Sequence, residues 1–397
     1  MRVDLITREY PPNVYGGAGV HVANLASVLR QFLDVRVRAF GAPEAGLGVS
    51  GYADPPDLAG ANPALRTLGV DLAMAGDCEG ADVVHSHTWY ANLAGHVGGL
   101  LYGIPHVITA HSLEPRRPWK AEQLGGGYAV SSWAERSAYE GAAAVIAVSE
   151  GMRRDILACY PWMPPDRVHV IHNGIDLAGW KRDEDPAAVA ALGIDPDRPS
   201  VVFVGRITRQ KGLPYLLRAA ERLPEDVQVV LCAGAPDTPE IAAEVTEGVR
   251  RLAERRAGVV WIERMLPRDL LCRVLSAATV FACPSVYEPL GIVNLEAMAC
   301  EVAVVGTATG GIPEVVVDGV TGRLVPIEQL ADGTGTPLDP DAFVADLASA
   351  LCEVVADPLR AREMGRAGRR RAEEAFSWDA VAATTVDLYR SVAGRVG

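Results

Sequence analysis

The sequence has few of the features that mark secreted, membrane-bound or nucleic-acid-binding proteins. Its 397 residues contain no apolar run of the roughly 18 residues that span a bilayer. The N-terminal stretch Met1–Ile6 is too short for a signal peptide, and the charged Arg8 and Glu9 follow it closely. The net charge of −13 disfavours nucleic acid or an anionic membrane as a partner. We therefore expect a cytoplasmic protein.

Cysteine is sparse and shows no pairing pattern. The 7 cysteines include no Cys-x-x-Cys pair, and Cys232 and Cys283 lie inside apolar runs, which predicts buried thiols. His85 and His87 flank a serine, but no cysteine or third histidine stands near them in the sequence. The sequence thus predicts neither a metal site nor a cofactor.

The sequence is rich in short apolar runs that alternate with helical stretches. The runs lie at residues 3–6, 35–40, 82–85, 106–109, 144–148 and 168–171, and then at 201–204, 227–231, 259–262, 280–282 and 302–305. Strands that alternate with helices imply a parallel sheet covered on both faces. A chain of this length exceeds what one core usually serves. We therefore predict an α/β protein with two domains of similar construction.

The segment from His172 to Asp176 contains an Asn-Gly turn and separates the two halves. The predicted domains are residues 1–171 and 172–378, followed by a final helix over 379–397. Gly-rich stretches at 44–60 and 332–338 are predicted to be surface loops. A basic run, interspersed with glutamates, is predicted to form a solvated helix face. Its arginines are Arg360, Arg362, Arg366, Arg369, Arg370 and Arg371.

The stretch from Ser285 to Glu296 is predicted to be a turn from a strand into a helix. Pro289 disfavours a helical conformation at Glu288, and the unpaired N–H groups at the following helix start favour an anion. Glu288 in the loop and Glu296 about two turns into the helix can hold the hydroxyls of a sugar and a ribose on either side of a diphosphate. A glutamate near a helix start can also simply balance the helix dipole.

Other predicted strands also end in residues that suit a phosphate, where ligands bind in doubly wound folds. Arg206 and Lys211 lie five residues apart in a loop bounded by Gly205 and Gly212, and together they can stabilise a diphosphate leaving group. After the first strand, the consecutive Gly16 and Gly17 precede a helix and can offer backbone N–H groups to a phosphate.

These motifs resemble the signature of retaining GT-B glycosyltransferases, in the branch that includes the glycogen synthases. The resemblance rests on Glu288-x7-Glu296 with Pro-Leu-Gly after the first glutamate, and on Arg206-x4-Lys211. It implies two Rossmann-like domains facing across a cleft, with a nucleotide-sugar donor on the C-terminal domain and the acceptor on the N-terminal one. It also implies a hinge near 172–176 and a final helix that packs back on the N-terminal domain.

The resemblance also assigns roles to individual residues. Glu288 contacts the donor sugar, Glu296 the ribose, and Arg206 with Lys211 the diphosphate, while His111 positions the sugar. The other residues implied in donor binding are Gly16, Gly17, Gly205, Leu290, Gly291 and Ile292, with the loop 310–314 nearby. Retention follows either from a covalent intermediate or from front-face attack, and the resemblance favours front-face attack.

Three further segments resemble actinobacterial-type glycogen synthases, whose members include ADP-glucose-dependent α-maltose-1-phosphate synthases. These are Thr7–Pro12, His85–Tyr90 and His111–Lys120. The resemblance implies transfer of glucose from ADP-glucose to glucose 1-phosphate, with retention, in glycogen synthesis. The segment Val14–Ala18 departs from the Lys-Thr-Gly-Gly-Leu form of many bacterial glycogen synthases.

The acceptor phosphate is expected at a group of residues just beyond His111. Arg116, Arg117 and Lys120, together with His87, are the predicted acceptor-binding residues, because they gather positive charge in an acidic protein. The alternative is that the three cations pair with Glu114 and Glu122 on the surface.

Several functions stay open on the sequence alone. Within the family they are a glycogen synthase that extends α-1,4-glucan from ADP- or UDP-glucose, and a transferase with another phosphorylated acceptor. Outside it they are a nucleotide-sugar epimerase and a non-catalytic nucleotide-sugar binder. Glu263–Leu266 follows a strand and is a candidate for the base pocket, but does not distinguish adenine from uracil. A homodimer is left open.

Overall fold

The computed structural model describes residues 1–14, 16–118, 120–121 and 125–394. The chain forms two compact α/β units. Unit 1 comprises the residues up to Gly174 together with the segment that begins at Trp378, and unit 2 comprises Ile175–Ser377. Each unit is built on one parallel sheet.

The sheet of unit 1 has seven strands in the order β3-β2-β1-β4-β5-β6-β7. They are β1 (Arg2–Thr7), β2 (Asp34–Phe40), β3 (Val49–Tyr52), β4 (Val83–His87), β5 (His106–Ala110), β6 (Ala144–Ala147) and β7 (Val168–Val170). The central strands are buried on both faces, which explains their continuous apolar runs. The strand order reverses between β1 and β4.

The helices of unit 1 are α1 (Gly17–Leu29), α2 (Pro63–Gly76), α3 (Trp89–Tyr102), α4 (Gly127–Gly141), α5 (Glu150–Cys159) and the C-terminal α14 (Trp378–Ala393). Helix α14 shares a core with α1 and β1, to which it contributes Trp378, Leu388 and Tyr389. The Tyr389 hydroxyl lies 2.6 Å from Nδ1 of His85 on β4, and this contact holds a buried imidazole in place.

The sheet of unit 2 has six strands in the order β10-β9-β8-β11-β12-β13. They are β8 (Ser200–Arg206), β9 (Gln228–Gly234), β10 (Val259–Ile262), β11 (Val280–Cys283), β12 (Ala303–Thr307) and β13 (Gly322–Val325). The strand order reverses between β8 and β11. This reversal places the loops that follow β8 and β11 beside each other at the carboxyl edge of the sheet.

The helices of unit 2 are α6 (Pro186–Ala190), α7 (Leu213–Ala220), α8 (Pro239–Arg255), α9 (Arg268–Ala277), α10 (Ile292–Ala299), α11 (Ile312–Val315), α12 (Pro340–Ala356) and α13 (Pro358–Ala375). One core joins the apolar faces of α7, α8 and α12 to the sheet, with Phe203, Leu216 and Leu347 among its buried side chains. No helix in the described part of the chain is both long and apolar enough to cross a membrane.

The structure differs from the sequence-based expectations in three places. The stretch 44–60 is not wholly a surface loop, because it contains the edge strand β3. The edge strand β13 was not predicted. The basic run on α13 is not uniformly solvated, because Arg369 donates hydrogen bonds to the carbonyls of Trp180 and Ala299, and Arg371 to that of Val315. The final helix is described as far as Ala393, and residues 395–397 lie outside the described residues.

Candidate active site

The strand order of unit 2 identifies where a ligand binds. In open parallel sheets, ligands occupy the crevice beyond the carboxyl ends of the strands where the order reverses. In unit 2 this point lies between β8 and β11. Arg206 and Lys211 follow β8, and Glu288 follows β11. The predicted donor-binding residues of unit 2 thus belong to the two loops at the reversal.

The loop after β8 is held against the loop after β11. The Thr208 hydroxyl accepts a hydrogen bond from the Lys211 N–H, which closes a short turn. Gly212 has φ +65°, and a side chain there would collide with the Pro284 carbonyl oxygen. The Val286 N–H donates to the Gln210 carbonyl at 2.9 Å. These contacts fix the position of Lys211 without a ligand.

Lys211 and Glu288 form a partly buried ion pair. The Lys211 Nζ lies 2.6 Å from Glu288 Oε2, which also accepts a hydrogen bond from the Ser285 hydroxyl at 3.1 Å. Burial acts to lower the pKa of Lys211, but the Glu288 carboxylate outweighs it and raises that pKa, against an opposing effect from Arg206. The lysine is therefore positively charged at neutral pH, close to a second cation.

Arg206 has a partner that the sequence analysis missed. Its guanidinium Nη1 lies 3.0 Å from Oδ1 of Asp237, a carboxylate in the loop after β9. The arginine side chain is 37% exposed, so this ion pair contributes little to stability. Its effect is to orient Arg206 at the edge of the sheet. The position of Asp237 after a strand was the available signal for it.

The backbone of Glu288 is held by the loop after β12. The Gly311 N–H donates to the Glu288 carbonyl at 2.9 Å. Gly310 has φ +55°, and a side chain there would collide with the same carbonyl. The motif 310–314 therefore supports Glu288 through its backbone. Glu314 itself lies on the short helix α11, where its carbonyl accepts a hydrogen bond from Arg371.

Helix α10 begins at the predicted turn and carries Glu296. Gly291 precedes it with φ +92°, next to the buried Leu290, and Ile292 is its first residue. Asn294 on its first turn is fully buried, and neither polar atom of its side chain has a hydrogen-bond partner among the described residues. Asn294 is a second residue that the sequence analysis missed. Its unsatisfied amide at a helix start makes it a candidate for ligand contact.

Glu296 is a partly buried carboxylate with a raised pKa. Burial first, and then the neighbouring Cys272 thiol, raise the pKa of Glu296 to about 7, although Lys211 acts in the opposite direction. The carboxylate thus changes charge near neutral pH, which exposed glutamates do not do.

The other predicted site residues belong to unit 1. Its strand order reverses between β1 and β4. Gly16 and Gly17 lie at the start of α1, but the Gly16 N–H donates to Oε2 of Glu9 at 2.7 Å. The Glu9 side chain is buried. One of the N–H groups predicted for a phosphate is therefore bound to a carboxylate of the same unit.

Three histidines meet beyond the carboxyl ends of β4 and β5. His87 Nδ1 lies 3.1 Å from His111 Nε2, and the ring centroid of His21 on α1 lies 4.7 Å from that of His111. We call His21, His87 and His111 the histidine cluster. Burial lowers the pKa of all three, and neighbouring imidazoles lower those of His87 and His111 further. The cluster is therefore neutral at pH 7.

The predicted acceptor cations are not equivalent. Arg116 forms an ion pair with Asp155 on α5 at 2.7 Å, so a carboxylate of the same unit already balances its charge. Arg117 donates to the Ser112 hydroxyl at 3.2 Å, and Lys120 to the Tyr90 hydroxyl at 3.3 Å. No ion pair joins these two cations to Glu114 among the described residues, and Glu122 lies outside those residues.

Arg8 is a second cation beside the ring of Tyr90, next to Lys120. Its guanidinium carbon lies 4.0 Å from the centre of the Tyr90 ring, and Lys120 Nζ lies 5.2 Å from it. Lys120 is only 5% exposed, and burial followed by the charge of Arg117 lowers its pKa. We call Arg8, Arg117 and Lys120 the Tyr90 cation group. An anion would relieve the repulsion within it.

Comparison with known proteins shows the family. The model of Glycosyltransferase Family 4 matches residues 15–178, and that of Glycosyl transferases group 1 matches residues 198–355. An α-maltose-1-phosphate synthase of Mycolicibacterium smegmatis is 59% identical over 99% of this chain and 100% of its own length. One of Mycobacterium tuberculosis is 56% identical, with the same coverage. The chain belongs to the GT-B glycosyltransferases.

A solved structure agrees with this assignment. The sucrose-phosphate synthase from Thermosynechococcus elongatus is similar to this glycosyltransferase with a TM-score of 0.76 and 25% identity, over 98% of each chain. The predicted fold class, with two Rossmann-like domains, is confirmed, and so is the prediction of a hexosyltransferase. The roles of individual residues stay predictions.

Lys211→Ala should weaken binding of a nucleoside diphosphate to the glycosyltransferase by roughly 10- to 150-fold. The reason is that a charge-assisted hydrogen bond is worth about 1.5–3 kcal/mol. Calorimetric titration with ADP and with UDP measures the effect. Arg218→Ala is the matched control, because it removes an exposed cation that pairs with Asp341. Equal affinities of the Lys211 variant and the wild type would contradict the assignment.

Binding of ADP-glucose should strengthen by up to about tenfold between pH 6 and pH 8. Glu296, with its pKa raised to about 7, is mostly protonated at the lower pH and mostly ionised at the higher one. Only the ionised form accepts hydrogen bonds from both ribose hydroxyls. ADP-glucose suits the titration because its diphosphate has no group that titrates near neutral pH. Glu296→Gln should bind more weakly and without this pH step, and a wild type without the step would contradict the ribose role.

Proposed function

We propose that this glycosyltransferase moves glucose from ADP-glucose to glucose 1-phosphate, with retention, and so forms α-maltose 1-phosphate for α-glucan synthesis. The observation that carries the proposal is the similarity, over the full length, to proteins named α-maltose-1-phosphate synthase. The ADP-glucose donor is supported by the resemblance of the sequence segments described above.

The donor is proposed to bind to unit 2. Lys211 and Arg206 hold the diphosphate and stabilise the charge that grows on it as the sugar bond breaks. Glu288 holds hydroxyls of the transferred glucose, and Glu296 holds the ribose. Two cations at one site provide this charge stabilisation without a metal ion. The donor-binding role of residues 290–292 rests on their position at the start of α10, where N–H groups lack partners within the helix.

The acceptor is proposed to bind to unit 1, with its phosphate at the Tyr90 cation group. The support is that Arg117 lies close enough to Lys120 to repel it, and that Arg8 joins Lys120 at the Tyr90 ring. Glu114 attracts Lys120 but forms no ion pair with it among the described residues. A phosphate monoester supplies the missing negative charge and accepts several hydrogen bonds. Arg116 is not included, because Asp155 holds it. His87 and His111 are proposed to position sugar hydroxyls.

The proposed reaction is a front-face displacement. The bond between the anomeric carbon and the diphosphate oxygen breaks, and the acceptor 4-hydroxyl forms the new bond from the same face. Its proton passes to the leaving diphosphate. Glu288 is a poor candidate for a covalent nucleophile, because its Oε2 already accepts hydrogen bonds from Lys211 and Ser285, which stabilise the carboxylate.

Product analysis tests the proposal. Purified protein is offered ADP-glucose or UDP-glucose, with either glucose 1-phosphate or glycogen, and products are identified by mass spectrometry and NMR. The proposal expects an α-linked disaccharide phosphate from ADP-glucose and glucose 1-phosphate. Brisk extension of glycogen with no use of glucose 1-phosphate would contradict the proposal and indicate a glycogen synthase. Conversion of a UDP-sugar without any acceptor would indicate an epimerase.

Arg117→Ala and Lys120→Ala should each raise the KM for glucose 1-phosphate at least tenfold, with little change in donor affinity. The loss corresponds to about 1.4 kcal/mol or more of acceptor binding. The control is Arg136→Ala, which removes an exposed cation that pairs with Glu140 on α4. Steady-state kinetics at saturating donor measures the change. An unchanged KM in both variants would place the phosphate elsewhere.

A further inference from the structure

The histidine cluster has unsatisfied bonding capacity that a hydrogen-bonded core would not leave. Nε2 of His87 has no hydrogen-bond partner among the described residues, and the ring of His21 has at most the Asn173 side chain as a partner. His21 is 4% exposed and His87 is fully buried. Buried polar atoms are nearly always paired, so the cluster has bonding capacity for a further group.

The geometry of the cluster is close to that of a metal site. One nitrogen from each of His21, His87 and His111 lies within 4.8 Å of the other two. Two nitrogens bound to the same tetrahedral zinc ion are about 3.3 Å apart, because each Zn–N bond is about 2.0–2.1 Å. His87 Nδ1 and His111 Nε2 are 3.1 Å apart. Binding therefore requires the His21 nitrogen to move closer to this pair.

The surroundings also suit a metal ion. Three neutral imidazoles with one open position form the ligand set of a known class of zinc site, so no carboxylate is needed. Burial keeps the imidazoles deprotonated, which is the form that binds metals. His85 lies against His87, with ring centroids 4.3 Å apart, and Tyr389 and Thr109 hold it from both sides. This outer contact limits the rotation of His87.

We propose that the histidine cluster binds one zinc ion, and that bound zinc inhibits sugar transfer. Imidazole nitrogens favour zinc over Mg²⁺ or Ca²⁺, which take oxygen ligands. The sequence prediction of no metal site weighed only His85 and His87, because the other two ligands, His21 on α1 and His111 after β5, stand far from them in the sequence. The inhibition rests on the proposed function, since zinc at His111 removes the nitrogen assigned to a sugar hydroxyl. The binding itself does not rest on it.

Equilibrium dialysis of the full-length protein against zinc, after treatment with EDTA and without substrates, tests the binding. Wild type should hold one equivalent, and His21→Gln and His87→Gln should each weaken that binding by at least tenfold. His96→Gln is the matched control, because His96 is a half-buried histidine outside the cluster. Thermal melting shows whether each variant is folded, and His21→Gln serves if the fully buried His87 does not tolerate replacement.

Cobalt substitution then separates imidazole ligands from the thiols of the chain. Tetrahedral Co²⁺ held by three imidazoles should give visible bands without a thiolate charge-transfer band. A thiolate band, or zinc binding that persists in both variants, would assign the ion to cysteines and overturn the proposal. Absence of binding by the wild type would also overturn it, and would leave sugar hydroxyls as the partners of the cluster.

Activity separates this proposal from the proposed function. Zinc should inhibit wild-type transfer, EDTA should reverse the inhibition, and the residual activity of His21→Gln should need at least tenfold more zinc for half inhibition. Zinc binding in a protein that makes no disaccharide phosphate would refute the proposed function and leave the metal site. Sugar transfer by a protein that binds no zinc would refute the metal site and leave the proposed function. Zinc binding without inhibition would overturn the inhibitory part.

Discussion

The ion pair between Lys211 and Glu288 is the contact on which the proposed donor site depends. It joins the loop after β8 to the loop after β11, and the Gly310–Gly311 turn after β12 holds the second of these from behind. Burying two charges costs desolvation energy that their attraction barely offsets, so the pair adds little to the stability of unit 2. The pair instead holds the lysine and the carboxylate in position. A diphosphate and a sugar are proposed to replace the contact between them.

The two units carry different kinds of side chain at the point where the strand order of each sheet reverses. Unit 2 presents charged groups, with Lys211 and Arg206 each held by a carboxylate. Unit 1 presents neutral imidazoles, and separately the Tyr90 cation group, which has no paired carboxylate of its own among the described contacts. The donor diphosphate and the acceptor phosphate are accordingly proposed to bind to different units. The neutral histidine cluster suits sugar hydroxyls and, by the same property, a zinc ion.

Local patterns in the sequence predicted much of this architecture. Pro289 and Gly291 determine the turn before α10 through their own backbone preferences, so the strand-to-helix turn could be predicted without knowing its neighbours. The alternation of apolar runs predicted most strands of both sheets. The edge strand β3 was missed because its four residues, Val49–Tyr52, include a serine and a glycine and are only partly buried. Edge strands carry a weaker apolar signal than central ones.

Pairings between distant segments could not be predicted in the same way. Asp237 reaches Arg206 across 31 residues, and Arg116 turns to Asp155 while Arg117 does not. Neighbouring arginines look equivalent in a sequence, and only the packing of α5 decides which one finds a carboxylate. His21 joined the cluster for a similar reason, since its place on α1 suggested only a helix. The residues missed are those whose role is set by tertiary proximity.

Affinity of the Glu288→Gln variant for ADP, measured by calorimetry beside its rate of sugar transfer, tests the central claim most directly. If Glu288 holds the sugar and Lys211 the diphosphate, the variant should bind ADP at least as tightly as wild type, because Lys211 is released from its carboxylate, and should lose most transfer. Full turnover in the variant, or a loss of ADP affinity as large as that of Lys211→Ala, would contradict the account.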